Sequence, residues 1–125
     1  MVKKLTRLKA IIEHRKMWTG IYEQTLIQKR KVNKGDYFDR KISRKEMTKK
    51  DVPVMGCYCC EYAAQIAQMK MQSVRDRCQY CPLKRNTEKC FDTGSYYEEW
   101  EKTDSHDYVK AAQIARKIAL LPIKG

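Results

Sequence analysis

Apolar residues recur with a helical period along the N-terminal part of the chain. At about 100° per residue, seven apolar side chains fall within one arc of about 140°, and most charges occupy the rest of the circumference. These residues are Leu5, Leu8, Ile11, Ile12, Trp18, Tyr22 and Leu26. The pattern predicts one long helix over residues 3–31 of an N-terminal segment 1–31. Gly20 is its weak point, because glycine costs on the order of 1 kcal/mol relative to alanine.

Residues 32–56 are very polar and predict a basic connector. The segment begins with a turn signal, Asn33 two residues before Gly35, and it ends with a proline and a glycine. Ser43 and Glu46 between these ends have the spacing of a capping box. We therefore expect a short helix over residues 44–50.

Residues 57–121 predict the remaining helices. No Gly or Pro interrupts residues 60–76, whose apolar positions cover more than half of a helical circumference, so this helix should be buried on several sides. Ser95 is the predicted N-cap of a short helix over 95–102, and Asp104 that of a terminal helix over 104–121. The predicted fold class is mostly α: one small helical domain over residues 1–125, in which the long N-terminal helix packs against the middle and terminal helices.

The cysteines predict a structural metal site. All six lie between residues 57 and 90, and the pairs Cys57/Cys60 and Cys78/Cys81 have C-x-x-C spacing. Each such pair can turn two thiolates toward one ion, and two pairs complete a tetrahedral shell of the kind that Zn²⁺ prefers. One structural zinc in a Cys₄ site would staple a core that has few large aliphatic residues.

Other assignments of the cysteines stay open. Cys90 competes for one of the four places, whereas Cys59 is expected to point away from the metal. His14 and His106 are expected at the surface, and His106 is the one replacement ligand if fewer than four cysteines bind. An iron–sulfur cluster is the weaker alternative, because a cysteine followed by proline, as at Cys81, also occurs in ferredoxins. Three disulfides in a secreted protein, or a redox-active C-x-x-C pair, are further alternatives.

The net charge of +12 is concentrated in the N-terminal half. Residues 1–56 contain 16 Lys and Arg against 6 Asp and Glu, whereas residues 57–125 contain 11 against 9. This asymmetry is typical of contact with a polyanion or an acidic protein surface, and a solvated face is the alternative. The candidate binding residues are Lys29, Arg30, Lys31, Lys34, Arg40, Lys41, Arg44, Lys45, Lys49 and Lys50.

Several classes of protein are disfavoured. No stretch reaches the roughly 20 apolar residues of a membrane span, and charges interrupt the apolar residues of the N-terminus, unlike a signal peptide. We therefore expect a cytoplasmic protein without a membrane partner. The chain has no G-x-S-x-G and no glycine-rich phosphate loop, and a closed Cys₄ zinc leaves no open position for a substrate. We predict that it is not an enzyme, with a metal-dependent enzyme as the minor alternative.

The cysteine region resembles a group of small, uncharacterised proteins encoded largely by tailed phages and prophage-bearing bacteria. The resemblance covers roughly residues 56–121, and it rests on Cys57-x-x-Cys60, Glu61-Tyr62-Ala63, Cys78-x-x-Cys81-Pro82-Leu83, Cys90, Tyr97 and Trp100. The chain departs from the group at Gly94-Ser95, where a proline is expected, and in having Cys59. The resemblance implies a phage origin and a metal-bound helical domain, and it implies no activity.

Together these features predict a small phage-type zinc-binding accessory protein. It would act as a non-catalytic binding module on a host or phage protein, for example as an inhibitor of host defence or of the transcription machinery. The alternative is a DNA- or RNA-binding protein that uses the basic segment 29–50. No recognisable helix-turn-helix or finger that would read bases is present. The oligomeric state is not predicted.

Overall fold

The computed structural model describes residues 5–53, 56–87, 89–90 and 92–124, and these residues are mostly helical. The α-helices in chain order are α1 Arg7–Gln28, α2 Lys34–Ser43, α3 Tyr58–Met69, α4 Tyr96–Lys102 and α5 Tyr108–Ala119. Two 3₁₀ segments, Lys49–Asp51 and Val74–Tyr80, lie on either side of α3. The described residues form no β-strand beyond an isolated antiparallel bridge between Leu83 and Ile123. The predicted mostly α fold class is confirmed.

Helix α1 is the central element of the fold. It packs against α5, α3 and α2, and α4 packs against α5. The side chain of Thr6 caps its first turn by accepting a hydrogen bond from the backbone N–H of Lys9, and Lys29 ends it with a left-handed φ of 54°. The predicted long helix is therefore present over 7–28, and residues 3 and 4 of the prediction lie outside the described residues.

The buried face of α1 is not the apolar stripe that the sequence predicted. Leu8, in the predicted stripe, is 67% exposed. The buried positions follow a neighbouring line along the helix: Ala10, Ile11, His14, Met17, Trp18, Ile21 and Thr25. Ala10 lets a neighbouring element approach closely, and hydrogen bonds to backbone groups satisfy the buried polar side chains of His14 and Thr25. A hydrophobicity pattern gives little weight to small and polar residues. The predicted buried face is therefore rotated about the axis of α1 relative to the observed one.

Helix α2 occupies part of the predicted connector and corrects the prediction of a helix over 44–50. The capping box forms at Asn33 and Asp36: the Asn33 side chain accepts from the backbone N–H of Asp36 at 2.8 Å, and the Asp36 carboxylate accepts from that of Asn33 at 3.5 Å. The helix ends at Ser43, the residue expected to begin one. Tyr37 and Phe38 decide the outcome, because only a helix over 34–43 buries both aromatic rings.

Gly20 is a contact point between α1 and α2 and not a bend. Helix α1 continues through it without interruption. A Cβ atom added there would lie 2.6 Å from Cε1 of Tyr37, closer than real Cβ contacts allow. The glycine therefore brings the ring of Tyr37 onto the α1 backbone, and this contact sets the position of α2.

Helix α3 is shorter than predicted. It ends at Met69, and Met71 has a left-handed φ of 56°, so the expected helix over 60–76 stops early. Residues Val74–Tyr80 then form the 3₁₀ segment that carries the second cysteine pair toward α3. The chain that follows Pro82 pairs with the C-terminal segment, because Lys84 N–H donates to the carbonyl of Pro122 at 2.7 Å and Lys124 N–H to that of Pro82 at 2.8 Å.

The last two helices lie close to their predicted positions. The hydroxyl of Ser95 accepts from the backbone N–H of Glu98 at 3.1 Å and caps α4 as expected. Helix α5 is capped by Asp107 and not by Asp104, whose carboxylate accepts instead from the N–H of His106 in the preceding turn. Within the described part of the chain, no helix is long and apolar enough to cross a membrane.

Candidate functional site

A cavity of about 190 Å³ lies where α1, the start of α3 and the segment before α4 meet. Three cysteines and one histidine line it, and we call it the thiol cavity: His14, Cys57, Cys60 and Cys90. Cys57 is the N-cap residue of α3 and Cys60 lies in the first turn, so one helix end positions both sulfurs. The C-x-x-C spacing and the Gly56 left-handed turn that precedes it produce this arrangement.

His14 was expected at the surface, and that prediction was wrong: the residue is completely buried. Its Nε2 atom lies 3.0 Å from the carbonyl oxygen of Ile118 in α5. Because a carbonyl only accepts, Nε2 must carry the proton, which leaves Nδ1 of the neutral ring with a free lone pair. Nδ1 lies 3.9 Å from Sγ of Cys57. His106 is exposed as predicted and does not line the thiol cavity.

The sulfurs of the thiol cavity contact one another and differ in acidity. A hydrogen bond from the Cys60 thiol, with help from the Arg85 guanidinium, lowers the pKa of Cys57 well below its ordinary value. The same contact raises the pKa of Cys60 well above its usual range, with a smaller effect from Cys90. Contact with Cys60 lowers the pKa of Cys90 to about 6, and the Arg85 guanidinium adds to the shift. The cavity thus favours the thiolate form of Cys57 and Cys90, the form that binds metals, and the thiol form of Cys60.

The second cysteine pair lies beside the thiol cavity and not on it. Sγ of Cys81 is buried and accepts a hydrogen bond from Nη2 of Arg85 at 3.7 Å. Cys78 is half-buried; burial raises the pKa of its thiol, although a hydrogen bond from the backbone of Cys90 acts against this. Cys59 donates to the carbonyl of Ala10 at 3.6 Å and does not line the thiol cavity. All six cysteines are free thiols.

The predicted Cys₄ shell is not assembled in the structure. Among the described residues, no three His, Cys, Asp or Glu side chains surround one point closely enough to hold a metal ion. Of the five predicted ligands, three line the thiol cavity, namely Cys57, Cys60 and Cys90, and two do not, namely Cys78 and Cys81.

Four of the ten predicted basic binding residues come together in a groove between α1 and α2. This groove has a volume of about 680 Å³, and we call it the α1–α2 groove. Its cationic residues are Arg15, Lys16, Arg30, Arg40, Lys41 and Arg44, and its carboxylates are Glu23, Asp36 and Asp39. Arg30 pairs with Asp36 at 3.4 Å, and Lys41 pairs with Glu46 just outside the groove at 2.9 Å. Within the described residues, Arg15, Arg40 and Arg44 form no ion pair.

Two of the predicted basic residues hold the fold together. Nζ of Lys31 donates to the carbonyls of Trp100, Glu101 and Thr103 at 2.8, 3.0 and 3.1 Å, where the negative end of α4 favours a cation. Burial lowers the pKa of Lys31, against the opposing effect of Glu101.

Lys34 is the second basic residue with a role inside the fold. Its ammonium group lies 4.3 Å from the ring centroid of Tyr97 and 5.8 Å from that of Trp18, at the edge of the thiol cavity. The remaining predicted cations stand apart from both sites: Lys29, Lys45, Lys49 and Lys50, all exposed.

Sequence reasoning missed His14 in the thiol cavity, and Arg15 and Lys16 in the α1–α2 groove. The helical period of α1 could have located His14, because the uncharged residues Ala10, Met17 and Ile21 share its helix face. Arg15 and Lys16 lie on the charged side of the predicted N-terminal helix, and only the position of α2 makes them part of a groove.

The comparisons with known proteins leave the chain without an assigned family. No protein-family model, no curated protein and no solved structure matches it. The resemblance of residues 56–121 to small phage-encoded proteins therefore stays a prediction.

Proposed function

We propose that the protein is a non-catalytic binding module that uses the α1–α2 groove to hold an acidic segment of a partner protein. Six cationic side chains against three carboxylates give the groove an excess of positive charge, and its volume of about 680 Å³ suits several side chains of a partner. The mixed signs also favour a protein partner, since paired charges of both kinds fix the register of a polypeptide. In keeping with the resemblance to phage-encoded proteins, this partner is a host or phage protein.

The observation that carries the proposal is the state of Arg40. Its Nε–H is buried, lines the groove and has no hydrogen-bond acceptor among the described residues. A buried donor without a partner costs about 1–3 kcal/mol, so it is ordinarily satisfied by a ligand or by water. A carboxylate in the groove would satisfy Nε and could also bind Arg44, which directly follows the end of α2.

A structural metal is part of the same proposal. The clustered thiols lie between α1, α3 and the segment before α4, and one zinc there would hold these three parts of a small core together. The donor set fits zinc, which takes thiolate and imidazole ligands in a closed tetrahedral site. An iron–sulfur cluster is the alternative, because thiolates also hold such clusters. Neither group needs an open position for substrate, in accord with a module that is not an enzyme.

Nucleic-acid binding is the second candidate function. Its support is the line of exposed cations that continues from Arg44 through Lys45 to Lys49 and Lys50. A phosphate backbone would follow such a line, and each contact would add to the salt dependence of the affinity. The engagement of Lys31 and Lys34 inside the fold removes two of the cations on which this function would depend.

A matched pair of variants tests the proposal and separates the two functions. The groove variant combines Arg15→Glu with Arg44→Glu, and the control variant combines Lys49→Glu with Lys50→Glu. All four side chains are exposed, and both variants change the net charge equally. Fluorescence anisotropy measures the binding of a Glu- and Asp-rich peptide and of a single-stranded oligonucleotide of equal charge.

Binding in the groove predicts that the peptide loses about 10-fold or more of its affinity in the groove variant and little in the control variant. Arg40→Gln should also lower the affinity for the peptide. An equal loss of peptide affinity in both double variants, together with tighter binding of the oligonucleotide than of the peptide, would favour the nucleic-acid function. No binding of either probe at low salt would overturn both functions.

A further inference from the structure

The thiol cavity contains a fourth ligand that the cysteine spacing does not reveal. We propose that His14 completes a Cys₃His zinc site with Cys57, Cys60 and Cys90, so that the metal ties α1 to the start of α3 and to the segment before α4. This inference rests on the structural metal of the proposed function and assigns its ligands. Cys78 and Cys81 are not ligands in this assignment.

The hydrogen bond of His14 fixes the ring in the state that a metal requires. Nε2–H donates to the carbonyl of Ile118 at 3.0 Å, and Nδ1 is therefore the unprotonated nitrogen, directed at the sulfur cluster. Histidine ligands in metal sites almost always donate their other ring N–H to a carbonyl or carboxylate, which sets the tautomer and the ring orientation. Helix α5 supplies that second interaction here.

One donor–donor distance is already close to that of a zinc site. Zn–S bonds of about 2.3 Å and Zn–N bonds of about 2.0–2.1 Å give a tetrahedral N···S edge of about 3.6 Å. Nδ1 of His14 lies 3.9 Å from Sγ of Cys57, so this edge is already close to its final length. Cys60 shares hydrogen bonds with both Cys57 and Cys90. Among the described residues no three donors surround one point, so binding of the metal would have to draw the four side chains together.

The other two cysteines do not line the thiol cavity. Sγ of Cys81 is bonded to the guanidinium of Arg85, and neither Cys78 nor Cys81 lines the thiol cavity. A Cys₃His zinc carries one net negative charge, and the cavity wall provides the counter-ions, since Lys34, Arg77 and Arg85 also line it. A charge enclosed by compensating charges is the arrangement that burial requires.

The test is X-ray absorption at the zinc edge of the full-length protein purified without added metal. A Cys₃His site predicts a first shell of three sulfurs at about 2.3 Å and one nitrogen at about 2.0–2.1 Å. His14→Gln keeps an amide donor for the Ile118 carbonyl but removes the ligand, and zinc affinity should fall by more than about 100-fold, the upper range for loss of a second-shell partner. His14→Cys should keep zinc and change its shell to four sulfurs.

The matched control is Cys78→Ser with Cys81→Ser, which should bind zinc with an unchanged first shell. Four sulfurs in the wild-type protein, or loss of zinc in this control, would overturn the assignment of His14 and leave the structural metal in place. A wild-type protein without metal, or with iron and sulfide, would overturn the zinc and the ligand assignment together. None of these outcomes bears on peptide binding in the α1–α2 groove, which is measured separately.

Discussion

Replacing Gly20 by alanine should destabilise the protein although alanine is the better helix former. In an open helix position the change would stabilise by about 1 kcal/mol. Here the new Cβ would lie 2.6 Å from Cε1 and 3.2 Å from Cδ1 of Tyr37. The ring cannot easily retreat, because Tyr37 is only 9% exposed and packs edge-on against Phe38, with ring centroids 5.4 Å apart. Overpacking of this kind costs about 1–3 kcal/mol, so we expect a net loss of about 1–2 kcal/mol.

A double-mutant cycle isolates the cause of that loss. Tyr37→Val removes both ring atoms that the new methyl group would meet, so in this background Gly20→Ala should stabilise by about 1 kcal/mol. Urea unfolding followed by circular dichroism gives the free energies, provided that the slopes with denaturant agree. The coupling between the two sites should be about 2–3 kcal/mol. If Gly20→Ala had the same sign and size in both backgrounds, the contact would not be what requires the glycine.

Three other perturbations have expected outcomes. Lys31→Met should lower the free energy of unfolding by about 1–3 kcal/mol, because three carbonyls at the end of α4 lose their cation, whereas Lys29→Met on the exposed side should change it by less than about 0.5 kcal/mol. Asn33→Ala should cost about 1 kcal/mol through loss of the capping box, and Asn33→Ser should recover most of it. A strong zinc chelator should lower the midpoint of thermal unfolding, and added zinc should restore it; an unchanged midpoint would count against a structural metal.

The parts of the fold that depend on local signals could be predicted from the sequence. Ser95 caps α4 and the Ala-rich C-terminal segment forms α5, because caps and helix-forming composition act over a few residues. The position of α2 could not be predicted in the same way. Asn33 and Ser43 both begin capping-box patterns, and the choice between them depends on tertiary contacts: Tyr37 packs on Gly20 of α1.

The candidate site likewise has a part that local signals predict and a part that depends on tertiary contacts. The spacing of Cys57 and Cys60 predicted that they would act together, since four residues at a helix start fix the geometry of both sulfurs. The place of His14 depends on how α1 is rotated about its axis, and that rotation is set by Ala10 and Thr25, which hydrophobicity undervalues. The sequence predicted the basic segment 29–50 as one binding patch. Its division into groove residues and residues used inside the fold follows from tertiary contacts alone.

Capture of a partner from a nuclease-treated lysate of the proposed bacterial host tests the proposed function most directly. Three baits are compared: the wild-type protein, the groove variant with Arg15→Glu and Arg44→Glu, and the control variant with Lys49→Glu and Lys50→Glu. Binding through the α1–α2 groove predicts one stoichiometric protein partner that the wild type and the control variant retain and the groove variant loses. A partner retained equally by all three baits, or no partner with the wild type, would contradict it.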